Sequence, residues 1–107
     1  MAILDGENRL TTVIVLLKVK EGQQDAVVEL AKEHVGPAMS MPGLVSANFH
    51  RSLDGKRVIN YGQWEDRDAI YQLTQRPGFG KEDGYWAGLA ENEFHLYEVL
   101  VSETTST

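Results

Sequence analysis

Ten residues, "TTVIVLLKVK" at 11–20, restrict the fold more than any other stretch of the chain. They are β-branched and apolar on both alternating faces, with Val13, Val15 and Leu17 on one side and Ile14 and Leu16 on the other. Side chains alternate across a strand, so a strand apolar on both faces is covered on both. The expectation is a central strand of a sheet.

The next eighty residues set the order of elements. In "EGQQDAVVELAKEHVGPAMSM" (21–41) the spacing turns helical: Val27, Leu30, Ala31, His34 and Ala38 fall on one face, and Gly36-Pro37 should kink or end the regular part. After the Pro42-Gly43 turn signal, "LVSANFHRS" (44–52) alternates as a strand with Val45, Ala47 and Phe49 on one face. "LDGK" (53–56) carries the Asp-Gly of a tight hairpin, and "RVINYGQW" (57–64) is the return strand. Glu65-Asp66 open a second helix with a carboxylate cap and an acidic first turn; Pro77 should stop it near Arg76. "YWAGLAE" offers one or two further turns, and "NEFHLYEVLVS" (92–102) reads as a last strand.

The order β-α-β-β-α-β is the split βαβ, or ferredoxin-like, arrangement: an α+β fold with both helices on one face of a four-stranded antiparallel sheet. The domain is expected to span 11–102, with a loose arm over 1–10 and a frayed tail over 103–107. On the last strand Phe94, Leu96 and Leu100 form one apolar set and Tyr97, Val99 and Val101 another. The helices cover only one side, so the other apolar face is expected to be an interface, which implies a homodimer.

Composition narrows the function. A single domain of 107 residues buries only about two-thirds of its unfolded surface, which a partner subunit supplements. The net charge of -6 and the lack of any basic run argue against nucleic acid and anionic membrane as partners. The longest apolar run, Val13 to Leu17, is far short of the roughly 20 residues that cross a bilayer, and the first ten residues lack the pattern of a signal peptide; a cytoplasmic location is expected. With no cysteine there is neither disulfide nor thiolate metal site.

One polar anomaly remains. Val58, Asn60, Gly62 and Trp64 share a strand face, and Gly62 leaves a hollow between two polar-tipped side chains. A carboxamide there is costly unless it finds partners, and an indole N–H also wants one. Two readings fit. Asn60 binds neighbouring backbone while Trp64 fills core, or both line a recess for a planar aromatic ligand bearing carbonyl or phenol oxygens.

The element order, with "NYGQWED" ending the third strand and leading directly into a helix, resembles the antibiotic biosynthesis monooxygenase family, whose members are dimeric α+β barrels of ferredoxin-like protomers. The resemblance covers residues 11–101. Within the family, the chain looks most like the cofactor-free anthrone oxygenases of aromatic polyketide pathways, and it implies that Asn60 and Trp64 line the substrate pocket. The expected activity is oxidation of an anthrone-like phenolic substrate to a quinone by O2, with no cofactor. The haem-degrading branch pairs the Trp with a His from the second-helix region, and "RDAIYQLTQR" has none. The same barrel shape also hosts polyketide cyclases and ligand-binding modules.

The remaining candidates carry two readings each. His34, on the apolar stripe of the first helix, is a core residue or a general base with a pKa suited to neutral pH. Arg76 favours a helix C-terminus or stabilises an enolate or peroxide at the pocket mouth. Tyr71 and Trp86 are pocket wall, lid or plain packing. His50 shares a strand face with Asn48 and Ser46 and is a further candidate substrate contact, while His95 lies with Tyr97 and Val99. The histidines lack a metal-ligand spacing, and no motif offers a seat for nucleotide or flavin, so neither metal nor organic cofactor is expected.

Overall fold

The computed structural model describes residues 10–76 and 86–105. The arm over 1–9, the glycine-rich stretch at 77–85 and the last two residues of the tail lie outside that range. Six elements appear in the expected order: β1 (Thr11–Val19), α1 (Gln24–Ala38), β2 (Leu44–Arg51), β3 (Arg57–Trp64), α2 (Arg67–Thr74) and β4 (Ala90–Tyr97). The sheet runs β2-β3-β1-β4 with every pair antiparallel. The strand apolar on both faces is therefore internal, as its composition requires.

Both helices pack on the face that carries Val13, Val15 and Leu17. One buried cluster joins Leu17 and Val58 of the sheet to Val27 and Ala31 of α1, with Trp86 and Ala90. A second joins Val13 and Trp64 to Ile70 of α2. The Asp66 cap forms as expected, its carboxylate accepting from the Ala69 N–H at 2.9 Å. The helix proper ends at Thr74, and Gln75 and Arg76 close it with tighter bonds to Gln72 and Leu73 carbonyls.

α1 ends at Ala38, one residue past Pro37, in keeping with the stop expected at Gly36-Pro37. Two details differ from the periodicity. A bulge between Leu44 and Ser46 puts Leu44, rather than Val45, with Ala47 and Phe49 on the helix side. And β4 runs from Ala90 to Tyr97, not 92–102. Its ladder starts where Val19 meets Ala90 and ends where Thr12 meets Tyr97. Leu100 and Val101 come after the strand, 79% and 77% exposed.

The face away from the helices is also more polar than its apolar strand residues suggest. Thr12, Ser46 and Gln63 are buried there. Ser46 Oγ donates to Gln63 Oε1 at 2.8 Å, and Asn48 Nδ2 donates to Ser46 Oγ at 3.1 Å and to the Tyr61 carbonyl at 2.8 Å.

Gly43 sets how closely α2 approaches the sheet. Its φ is +86°, and a Cβ built there would collide with the Ala69 Cβ of α2. Gly43→Ala therefore combines left-handed strain with displacement of a helix, and a loss of roughly 2–3 kcal/mol is expected in chemical denaturation. A midpoint equal to wild type would show that α2 yields freely. The β2–β3 hairpin is the site of the one clear acid shift among the described residues. Asp54 accepts from Ser52 Oγ, the Lys56 N–H and the Arg57 guanidinium, and these bonds, Ser52 first, hold its carboxyl below the usual range. The lowered folded pKa means that this contribution is present above the unfolded value near 3.8 and is lost as the pH falls through the folded one. Asp54→Asn should thus be less stable than wild type at neutral pH, with the gap closing below about pH 4.

Candidate active site

β3 places Asn60, Gly62 and Trp64 in succession on the helix side of the sheet, facing Val15 and Val13 of β1. The Asn60 carboxamide has a fixed sense. Its Oδ1 accepts the backbone N–H of Asn48 on β2 at 3.2 Å. A backbone N–H can only donate, so the oxygen must be the atom turned toward β2 and the NH2 must point the other way. It points at the space above Gly62. A Cβ on Gly62 would lie 3.5 Å from Trp64 Nε1 and 3.9 Å from Asn60 Nδ2. Two N–H donors thus converge on the volume that the missing side chain leaves open, and no described residue accepts from either. Trp64 is itself buried, with 3% exposure.

The structure thus gives Asn60 the neighbouring-backbone partner of the first reading and turns its other end to the hollow. Its oxygen repairs the β2–β3 ladder beside the bulge, and its nitrogen is left for something else. The first bond fixes the sense of the carboxamide and with it the direction of the NH2.

The donors open into a recess between sheet and helices. Val13, Val15, Ala47 and Phe49 form its floor, His34, Val35 and Ala38 of α1 part of its roof, and Trp86 and Asn92 its far end. His34 meets Trp86 edge to face, ring centroids 5.7 Å apart at 82°. The recess holds about 80 Å³, against the ~300–1,000 Å³ usual for small-molecule sites. A polycyclic ligand enters only if the walls part.

Of the residues singled out in the sequence, Asn60, Trp64, His34 and Trp86 come together here. Arg76, Tyr71 and His50 do not. The Arg76 guanidinium lies against Met41 Sδ at 3.8 Å, on the α2 side of the Trp64 cluster and outside the recess lining. Tyr71 projects from α2, 64% exposed, beside Phe94 and Leu96 on another surface. His50 alternates to the opposite face of β2, where Nδ1 sits 3.1 Å from the Asn48 carbonyl. The strand alternation already put His50 with Asn48 and Ser46, away from the Phe49 row, so its placement was readable. The residue that sequence reasoning missed is Asn92: it lines the recess, and its Oδ1 is buried without a protein partner among the described residues. The signal was the same as at Asn60, a carboxamide in the core-facing register of a strand, here beside Phe94 and Leu96 in alternation.

A larger groove of about 470 Å³ runs along α1 and the β2 edge, but its lining alternates Asp25, Glu29, Lys32 and Arg51. Those charges are exposed and pair among themselves, Lys32 with Glu29 and Arg51 with Asp25. None of its described lining residues holds a buried side-chain polar atom without a partner, in contrast to Asn92 of the smaller recess. Among the described residues no group of three or more His, Asp or Glu is arranged to hold a metal ion.

Comparison with known proteins bears on the family and the fold. A 24-residue segment is 67% identical to tetracenomycin-F1 monooxygenase of Streptomyces glaucescens, a match spanning 22% of this chain and only 21% of that protein. Among solved structures, the monooxygenase of the ActVA-Orf6 gene of Streptomyces coelicolor, in complex with nanaomycin D, superposes with a TM-score of 0.75 at 25% identity over 91% of this chain and 93% of that one. SnoaB, a cofactor-independent oxygenase from Streptomyces nogalater, gives 0.72 at 20% identity over 92% and 98%. The antibiotic biosynthesis monooxygenase profile matches residues 11–81, most of the sheet, both helices and the Asn60–Trp64 stretch. This chain belongs to the antibiotic biosynthesis monooxygenase family.

Proposed function

We propose that the chain oxidises an anthrone-like, phenolic polycyclic substrate to the quinone with O2 and without a cofactor. The observation that carries this reading is the pair of N–H donors, Asn60 Nδ2 and Trp64 Nε1, aimed at the empty volume over Gly62. They suit an oxygen on which negative charge develops. When the central methylene of an anthrone loses a proton, the charge moves onto the carbonyl oxygen. A preorganised donor on such an oxygen supplies about 3–4 kcal/mol. The enolate then passes one electron to O2 and the two radicals combine at carbon as a peroxide. After protonation, the O–O bond breaks as the second C–H proton leaves. One oxygen atom stays as the new carbonyl and the other departs as water. Every electron comes from the substrate. The chain's part is to hold the enolate, keep the carbon beside O2, and exclude water. His34, on the roof of the recess, is the candidate proton acceptor. Arg76, Tyr71 and His50 have no part in this scheme.

Oxygen dependence tests it. Emodin anthrone should be converted to emodin in air with no added cofactor, and conversion should stop under strict anaerobiosis. A polyketide substrate turned over equally well without O2 would make the protein a cyclase.

The same reading takes a homodimer as the working unit. Leu100 and Val101 come after β4 and are widely exposed, and Tyr97 is 45% exposed on the face away from the helices, an apolar set that a second copy would cover. A species near 24 kDa, twice the 12.0 kDa chain, is expected in sedimentation at low micromolar concentration. A stable 12.0 kDa species would contradict it.

A further inference from the structure

Asn92 is the one polar recess residue for which the oxidation scheme has no use. It sits on β4 opposite Leu17, one core-facing step from Phe94, which is opposite Val15. Its Oδ1 is buried and has no hydrogen-bond partner among the described residues, and the residue lines the recess together with His34 and Trp86. A polar group in that state is destabilising unless something outside the chain satisfies it. The core around Leu17 gives it nothing, since Leu17, Val27 and Ala90 are apolar. Among the described residues Thr12 Oγ1 is the other buried side-chain polar atom without a partner, but it alternates to the opposite face of β1 from Val13 and the recess.

We propose that Asn92 is a specificity-determining contact, binding a hydroxyl on an outer ring of the substrate. This rests on the oxygenase reading for the identity of the ring system, but the contact itself comes from the recess. The two polar ends are set apart by the sheet. Asn60 lies opposite Val15 on β3 and Asn92 opposite Leu17 on β4, which places their Cα atoms about 12 Å apart by strand spacing and rise. Between them runs β1, whose Val15 gives the recess an apolar floor there. A ligand that satisfies both ends is flat, several rings long, and carries an acceptor at one end and a polar substituent at the other. A hydroxyl fits the Asn92 end in either sense of the carboxamide, since it both donates and accepts. Sites that hydrogen-bond a substrate hydroxyl discriminate strongly against the analogue without it, because the site's own polar group is then left buried and unpaired.

The test uses emodin anthrone and chrysophanol anthrone, which differ by one outer-ring hydroxyl, with the full-length protein. Wild type should prefer emodin anthrone by about tenfold or more in kcat/KM. Asn92→Leu should fold with equal or greater stability, having lost an orphaned buried amide, and its preference should fall toward unity mainly through loss on emodin anthrone. Asn92→Gln tests reach, since it restores the carboxamide one methylene displaced. Calorimetric affinities for the product quinones, emodin and chrysophanol, give the same ratio without turnover, so a failure of the oxygenase reading is seen separately from a failure of this one. A preference that Asn92→Leu leaves unchanged, or wild-type protein that binds neither quinone, overturns the assignment.

Discussion

Asn60→Asp should reduce anthrone oxidation by more than about a hundredfold while leaving a folded protein. The substitution keeps an oxygen for the Asn48 N–H, which Asn60 Oδ1 accepts at 3.2 Å, so the β2–β3 ladder beside the bulge survives. It removes the NH2 that faces the hollow over Gly62 and puts negative charge where the enolate must form. Asn60→Ala is the blunter version. It loses about a hundredfold in rate as well, but it also strands the Asn48 N–H and should cost about 1–2 kcal/mol of stability. The pair separates the two duties of one side chain: comparable rate loss with unequal stability loss is the expected pattern. Trp64→Phe completes the set by keeping the flat wall and deleting only the indole N–H, with a loss of about tenfold or more expected. Chemical denaturation and steady-state O2 uptake on the same preparations check all three.

Gly62→Ala should be nearly as damaging to turnover and almost silent in stability. The added methyl would sit 3.5 Å from Trp64 Nε1 and 3.6 Å from the Val13 carbonyl, ordinary contact distances that the fold accepts. Gly62 has no positive φ to strain, and in a strand alanine replaces glycine without loss of backbone pairing. Yet that methyl occupies the place where the substrate oxygen meets both donors. Loss of activity of about a hundredfold or more with an unchanged denaturation midpoint is expected. Full activity would mean that the substrate oxygen lies elsewhere and that the convergence of the two donors is incidental.

How much of this the sequence discloses depends on the range of the forces involved. The central position of β1 comes from its two apolar faces alone, and the Asp66 cap from three residues of local chemistry. The hollow over Gly62 also comes from strand alternation, which needs no knowledge of neighbours. The sense of the Asn60 amide does not: it depends on Asn48, twelve residues earlier, and on a register set by a bulge that nothing in "LVSANFHRS" announces. The end of β4 is likewise set by where β1 stops pairing, although Val99, Leu100 and Val101 continue the apolar pattern past it. Arg76 and Tyr71 suit the chemistry by residue type, but the eight-residue α2 turns Tyr71 to solvent, and Arg76, just past its end, lies against Met41. Helical direction over so short an element is settled by tertiary packing, here by Gly43 admitting Ala69.

Stabilisation of the substrate's enolate by the Asn60 and Trp64 N–H groups can be read directly from its ionisation. Anaerobic mixing of emodin anthrone with the protein isolates that step, because without O2 the bound substrate can lose its proton but go no further. A pH titration of the enolate absorbance should show the bound anthrone ionising about two units lower with wild type than with Asn60→Ala, the counterpart of a hundredfold in rate. Identical titrations in the two proteins, with binding intact, would mean that Asn60 does not stabilise the enolate.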